Sequence, residues 1–139
     1  MRSVVLHDKA ALAALKDLRE SLLRLHKNLL EVEKASFERD HAKIQSPQHF
    51  LQLLTGDPRF AWLRPLSGMI VYIDEVEEGS ITIDNKVLEG ICLRIRTLLS
   101  SESVEGGFYA RYSVVLNSEP DILFEHVQLT RALGRVLAK

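Results

Sequence analysis

The sequence is poor in most of the features that announce a chemistry. It holds one cysteine, Cys92, so no intrachain disulfide can form and a cysteine-built zinc site is not to be expected. Aromatic residues reach only 6%, and the net charge is -1 over 139 residues. Those values disfavour both the stacking platform of a single-strand binder and the basic stripe of a duplex binder. The longest purely apolar run, "MIVYI" at residues 69–73, is far short of the ~20 residues that span a bilayer. The opening "MRSVVLHDKA" has too brief an apolar stretch for a secretory leader. Phosphate loops of the G-x-x-x-x-G-K and G-x-G-x-x-G kinds are missing, as is a nucleophile elbow for Ser-His-Asp catalysis. The expectation is a soluble, cytoplasmic protein without nucleic-acid or membrane partners.

Long stretches without glycine or proline are what remains, and they carry helical periodicity. The length suits one domain spanning residues 1–139, enough to bury a real core. From His7 and Asp8 to Ser46 no breaker occurs, and Asp8 is placed to cap the amides of a first turn. Leu15, Leu18, Leu22, Leu25, Leu29 and Val32 alternate by three and four, while Leu23, Leu30 and Phe37 form a second ridge. Lys16, Glu20, Arg24, Lys27, Glu31, Lys34 and Glu38 take the opposite side, as an amphipathic helix requires.

"QSPQHFLQLLTGDP" then reads as a short helix, with Ser46 as cap, Pro47 at the first position and Gly56 as stop. In "DPRFAWLRPLS", Asp57 and Pro58 repeat that start. Trp62, Leu66, Met69, Ile73 and Val76 hold one phase through Pro65, which predicts a single helix kinked at that proline. The rival is a helix that restarts at Pro65. Phe60 and Val71 fall on the other side, so this helix is either central in the bundle or presents a spare apolar face to a partner. "DEVEEGS" closes the helix with Asp74, Glu75, Glu77 and Glu78, where the macrodipole disfavours negative charge. That end is either simply solvated or a patch for a cation or a basic partner. "SITI" alternates like a strand but is too short to pair alone. Val87, Leu88, Ile91, Ile95, Leu98 and Leu99 share the next helical face, with Cys92 beside it as a small buried residue. "SESVEGG" is a flexible link, "FYARYSVVLNS" a short helix, and Ser118, Glu119 and Pro120 open a last helix in which Ile122, Leu129, Leu133 and Val136 are expected to share a face with Leu123, Val127 and Leu137. The sum is an all-α bundle of four principal helices with one or two short connecting ones.

One arrangement is out of the ordinary. Arg19, His26, Glu33 and Asp40 recur every seven residues on the first helix and project within its apolar side. Neighbouring rungs are ~10 Å apart along the axis, so each needs a partner on another helix, because a buried unpaired charge is costly. His126 is the leading partner, with Asp74 and Arg64 behind it. Two readings compete: ion pairs and hydrogen bonds that fix helix register, or an internal polar pocket or metal site using His26, Glu33 and His126. "ERDH" at residues 38–41 matches one Glu-x-x-His of a di-iron bundle, yet Glu38 lies on the charged stripe and no second copy exists. His7, His41 and His49 read as peripheral. Glu33 and Asp40, one heptad apart on one helix, do not converge as paired catalytic carboxylates.

"LLRLHKNLLEVEKASFE", "LLTGDPRFAWLRPLSGMIVYIDE" and, more loosely, "EPDILFEHVQL" resemble a bacterial family of small all-helical proteins of uncharacterised function, marked by a DPxFAWLRPLSxxIxxIDE stretch. The resemblance implies a helical bundle and points to no particular activity, substrate or cofactor. It rests most on Asp57, Trp62, Arg64, Pro65, Ser67 and Asp74. A cap, an anchor and a kink account for most of these, and Arg64 is expected to pair with a carboxylate on another helix. The function expected is a non-catalytic association module, a homodimer formed through the spare apolar face of the Trp62 helix. The alternative is a bundle binding a small ligand or metal.

Overall fold

The computed structural model describes residues 8–79, 81–101 and 107–138; His7 and most of the "SESVEGG" link lie outside them. Helix α1 (Lys9–Asp40) starts where Asp8 accepts the Ala11 amide at 3.0 Å. It runs unbroken because nothing in its 32 residues interrupts the ladder. Leu15, Leu18, Leu22, Leu25 and Leu29 are sealed from solvent, so the first ridge is the core seam. Helix α2 (Pro47–Gly56) is capped by Ser46 through the His49 amide at 3.0 Å. Its apolar side chains are only half-covered or exposed.

The Trp62 segment departs from the single kinked helix. Two helices form, α3 (Pro58–Ala61) and α4 (Arg64–Glu77), with a turn at Trp62 and Leu63 between them. Asp57 caps α3 through the Arg59 amide at 2.8 Å. Amides of Phe60 and Leu63 reach back only three residues, to Asp57 and Phe60 carbonyls at 3.1 and 3.2 Å, the tighter 3-10 spacing. Pro65 therefore stands in the first turn of α4, where its missing N–H costs no hydrogen bond. A spare apolar face is not found there either: Phe60 is 1% exposed and belongs to the core, while Val71 is exposed.

Helix α5 (Asn85–Leu98) is capped by Asp84 through the Val87 amide at 2.9 Å. In place of a strand, Ile83 is buried and its carbonyl accepts the Asp8 amide at 3.0 Å. The α4–α5 connection is thereby tied to the start of α1. Helices α6 (Phe108–Ser118) and α7 (Pro120–Leu137) complete the chain. Pro120 opens α7 at its first turn.

The described residues are thus all-helical in seven helices, one short helix more than the sequence pattern suggests, because the Trp62 segment divides. Helix α1 is central and packs against α7, α4, α3 and α5; α7 in turn packs against α5 and α6. No described helix is long and apolar enough to cross a membrane.

Candidate functional site: a polar ladder inside the bundle

All four rungs of α1 find partners, and three of the four rungs are met from the α3–α4 strip alone. Arg19 Nε donates to Asp74 Oδ1. That hydrogen bond, and the charge behind it, holds the Arg19 guanidinium above its ordinary pKa. The acidic end of α4 thus receives its cation from within the chain, which offsets the unfavourable macrodipole there. One heptad on, His26 Nε2 lies 2.7 Å from Ser67 Oγ. Ser67 gives its own proton to the Leu63 carbonyl at 3.2 Å, so His26 is the donor and carries its proton on Nε2. Burial lowers the His26 pKa, consistent with that neutral form.

Glu33 is the buried centre. It is 0% exposed, and its Oε1 accepts from Trp62 Nε1 at 2.9 Å, Arg111 Nε at 2.9 Å and Arg111 Nη2 at 2.8 Å. Its Oε2 is buried with no hydrogen-bond partner. One oxygen therefore joins α1, the α3–α4 turn and α6. At the far end, Asp40 accepts from Arg59 Nη2 at 2.7 Å, and Arg59 Nη1 also donates to Ser36 at 3.1 Å. The Arg59 hydrogen bond and charge lower the Asp40 pKa.

A row of aromatic rings continues inward from Glu33. Trp62 meets Phe108 with ring centres 5.5 Å apart, and Phe108 stacks on Tyr112 at 5.1 Å. Tyr112 Oη lies 2.7 Å from His126 Nδ1. Burial raises the Tyr112 pKa and lowers that of His126, so the phenol donates to a neutral imidazole.

Two sequence expectations are corrected by this geometry. His126 does not pair with the α1 ladder: α6 stands in the way and supplies Tyr112 instead. Arg64 does not hold a carboxylate; it is exposed and donates from Nη2 to the Thr55 carbonyl at 2.9 Å, tying the end of α2 to the start of α4. Asp74 is a ladder partner as anticipated. Glu38 of the lone Glu-x-x-His accepts the Ile44 amide at 2.8 Å, and His41 is exposed against Phe37. His26, Glu33 and His126 fall into three separate hydrogen-bonded groups. Among the described residues no cluster of three or more His, Cys, Asp or Glu is placed to hold a metal ion. Cys92 is buried, with its thiol pushed up to about 11 by burial, which keeps it protonated and unreactive.

Arg59, Arg111 and Tyr112 were not singled out by the sequence pattern. Tyr112 had a signal, standing four residues after Phe108 on one face of a short helix; Arg111 had none. No family model, curated protein or solved structure matches the chain.

Proposed function

We propose that this chain is a non-catalytic, cytoplasmic association module. In this reading α1, α4, α5 and α7 are the four principal helices of a rigid frame, locked by the polar ladder. The outer face of α7 is its docking surface. One observation carries the reading. Of the large apolar side chains exposed among the described residues, Leu123, Phe124 and Val127 stand together on α7, at 49%, 59% and 37% exposure, and Val114 stands on neighbouring α6 at 58%. Residues three and four apart on a helix touch, so the α7 trio forms one patch. Isolated exposed apolar residues are ordinary, whereas a contiguous group points to contact with another surface. The ladder supports a framework role, since each of its four rungs is held by a partner from another helix or turn of the chain.

Photo-crosslinking tests this directly. A benzoylphenylalanine placed at position 124 is expected to trap a protein adduct in cells, and one at the exposed polar position 96 is not. Absence of an adduct at 124, or an adduct at position 71 of α4 instead, overturns the reading.

A further inference from the structure

We infer that the occupant of the α7 face is a second copy of this chain, docked antiparallel with its two-fold axis passing beside Gln128. The inference rests on the association reading above and identifies its partner. At about 100° per residue, Phe124, Val127 and Arg131 lie within one outward stripe of α7. Asp121, Gln128 and Arg135 run along one edge of that stripe, each seven residues from the next. Asp121, Arg131 and Arg135 are all exposed, and none forms an ion pair among the described residues. The stripe is therefore acidic at its start, apolar in its middle and basic at its end.

Such a pattern is complementary to itself when reversed. In an antiparallel helix pair, like edges face each other. An axis beside Gln128 sets Asp121 against Arg135 of the second copy, and the same contact repeats on the other side of the axis. Phe124 then lies against Arg131 of the second copy, a cation–π arrangement, and the Val127 side chains meet near the centre. Both contacts imply the same centre to within half a residue, less than ~1 Å along the axis. A two-fold pairing must be self-complementary in this way; in a parallel pair unlike edges face each other, so Asp121 and Arg135 of the two copies would not meet. The stripe runs from Asp121 to Arg135, about four turns of one helix, which is a narrow contact for a stable interface. Weak association, in the micromolar range, is therefore expected.

Sedimentation equilibrium from about 1 to about 500 µM, a span that brackets micromolar affinity, tests the assignment. The wild-type chain is expected to dimerise, and Phe124→Glu to remain monomeric with unchanged helical circular dichroism. Asp121→Arg alone and Arg135→Asp alone each turn two attractions into two repulsions and are expected to weaken the dimer by about tenfold or more. The double variant D121R/R135D restores both attractions and should recover the wild-type constant. An equimolar mixture of the two single variants should form heterodimers, since every cross-pair is then opposite in sign. Asp121 and Arg135 also suit the dipole of their own helix, but the double variant reverses both against it. Recovery by that variant therefore cannot arise from helix stabilisation. A wild-type chain that stays monomeric throughout, or single swaps that dimerise like the wild type, or a double variant that fails to recover, overturns the inference. A monomeric chain that still traps a different protein at position 124 overturns it while leaving the association reading standing. A dimer unmoved by Phe124→Glu, with no adduct at 124, removes both.

Discussion

Against α3 and α4, helix α1 presents Arg19, His26, Glu33 and Asp40, each hydrogen-bonded across the seam. Toward α7 it presents Ala14, Leu18 and Ser21 beside Ala132 and Val136, with the polar side chains of Asp17, Glu20, Arg24, Gln128 and Arg135 along the outer rim. Among the described residues one ion pair crosses that second seam, Arg24 to Glu125 at 3.3 Å. The two seams set register by different physics. Small and branched apolar side chains interlock by shape, and a sliding helix loses contacts gradually. A ladder of directed bonds does not slide: a shift by one residue strands every rung at once, and each buried orphan is costly. The polar seam therefore holds α1 to one alignment, at the expense of desolvating a carboxylate, while the apolar seam supplies the drier burial that drives folding.

The contrast breaks most visibly at Glu33. Glu33→Ala strands the Trp62 N–H in the core, releases Arg111 and leaves a void. The expected loss is about 2–4 kcal/mol in urea unfolding, below the top of the range for buried pairs because Arg111 can turn to solvent. Glu33→Gln keeps an oxygen for Trp62 and is expected to lose less. A loss no larger than that of a surface substitution would mean that the ladder follows the fold rather than fixing it.

Acid should act on the polar network next. His26 and His126 are held by burial below the ordinary histidine value of about 6.5. As pH falls through that value the unfolded chain takes up protons before the native state does, so stability declines. The decline stops only where the buried imidazoles themselves protonate. Above neutrality neither residue contributes a slope. Melting temperatures between pH 7.5 and 5 should fall for the wild type and fall less steeply for His26→Gln, which retains a donor for Ser67. Equal slopes would show that His26 protonates freely in the folded protein.

Much of this ladder was legible in the sequence, and its failures are instructive. The heptad of Arg19 and His26 is matched by the heptad of Ser67 and Asp74, seven residues apart in the reverse direction, so antiparallel pairing of those rungs was open to view. Glu33 lost that simple match because the chain turns at Trp62 and Leu63. The backbone there takes 3-10 spacing, with a rise of ~2.0 Å per residue against 1.5 Å in an α-helix, and Trp62 meets Glu33 five residues before Ser67 instead of seven. Helical phase carried through Pro65 conceals such a change, since a short turn preserves the inward aim of Trp62 while dividing the helix. The role of α6 was not legible at all. Its direction is set beyond the glycine-containing link, and no local pattern says that it will fold back between Glu33 and His126. The spare face was misplaced for a related reason: periodicity shows that Phe60 leaves the Trp62 stripe, but only the packing of α2 and α3 shows that it meets Phe50 and Phe37.

The apolar seam gives the opposite sign. Ser21 is 3% exposed, and its hydroxyl finds no hydrogen-bond partner. Its presence is explained by size, since a small side chain lets α1 and α7 approach. Ser21→Ala keeps the size, removes a stranded polar atom and improves helix propensity. A gain of about 0.5–1 kcal/mol is expected, measured as a higher urea midpoint at unchanged m-value. A loss would place a hidden acceptor within reach of that hydroxyl and make the second seam polar too.

The smallest effect belongs to the outermost rung, and it sharpens the comparison within the ladder itself. Asp40 and Glu33 both face an arginine, and by sequence they are equivalent positions one heptad apart. Their surroundings are not equivalent. The Asp40 side chain is 56% exposed and that of Arg59 25%, whereas Glu33 is sealed. Water replaces a lost partner at Asp40, and Arg59 retains Ser36 and its place over the Phe37 ring. Asp40→Asn is therefore expected to leave the thermal midpoint at pH 7 within experimental scatter of the wild type, as exposed pairs commonly do. Because Arg59 holds the Asp40 pKa low, any stability it does lend is present above the ordinary aspartate pKa of about 3.9 and disappears below it. The variant and the wild type should then converge fully in strong acid. A large midpoint drop at neutral pH would show that a rung acts through its place in the heptad rather than through its burial, and the distinction drawn between Glu33 and Asp40 would fail.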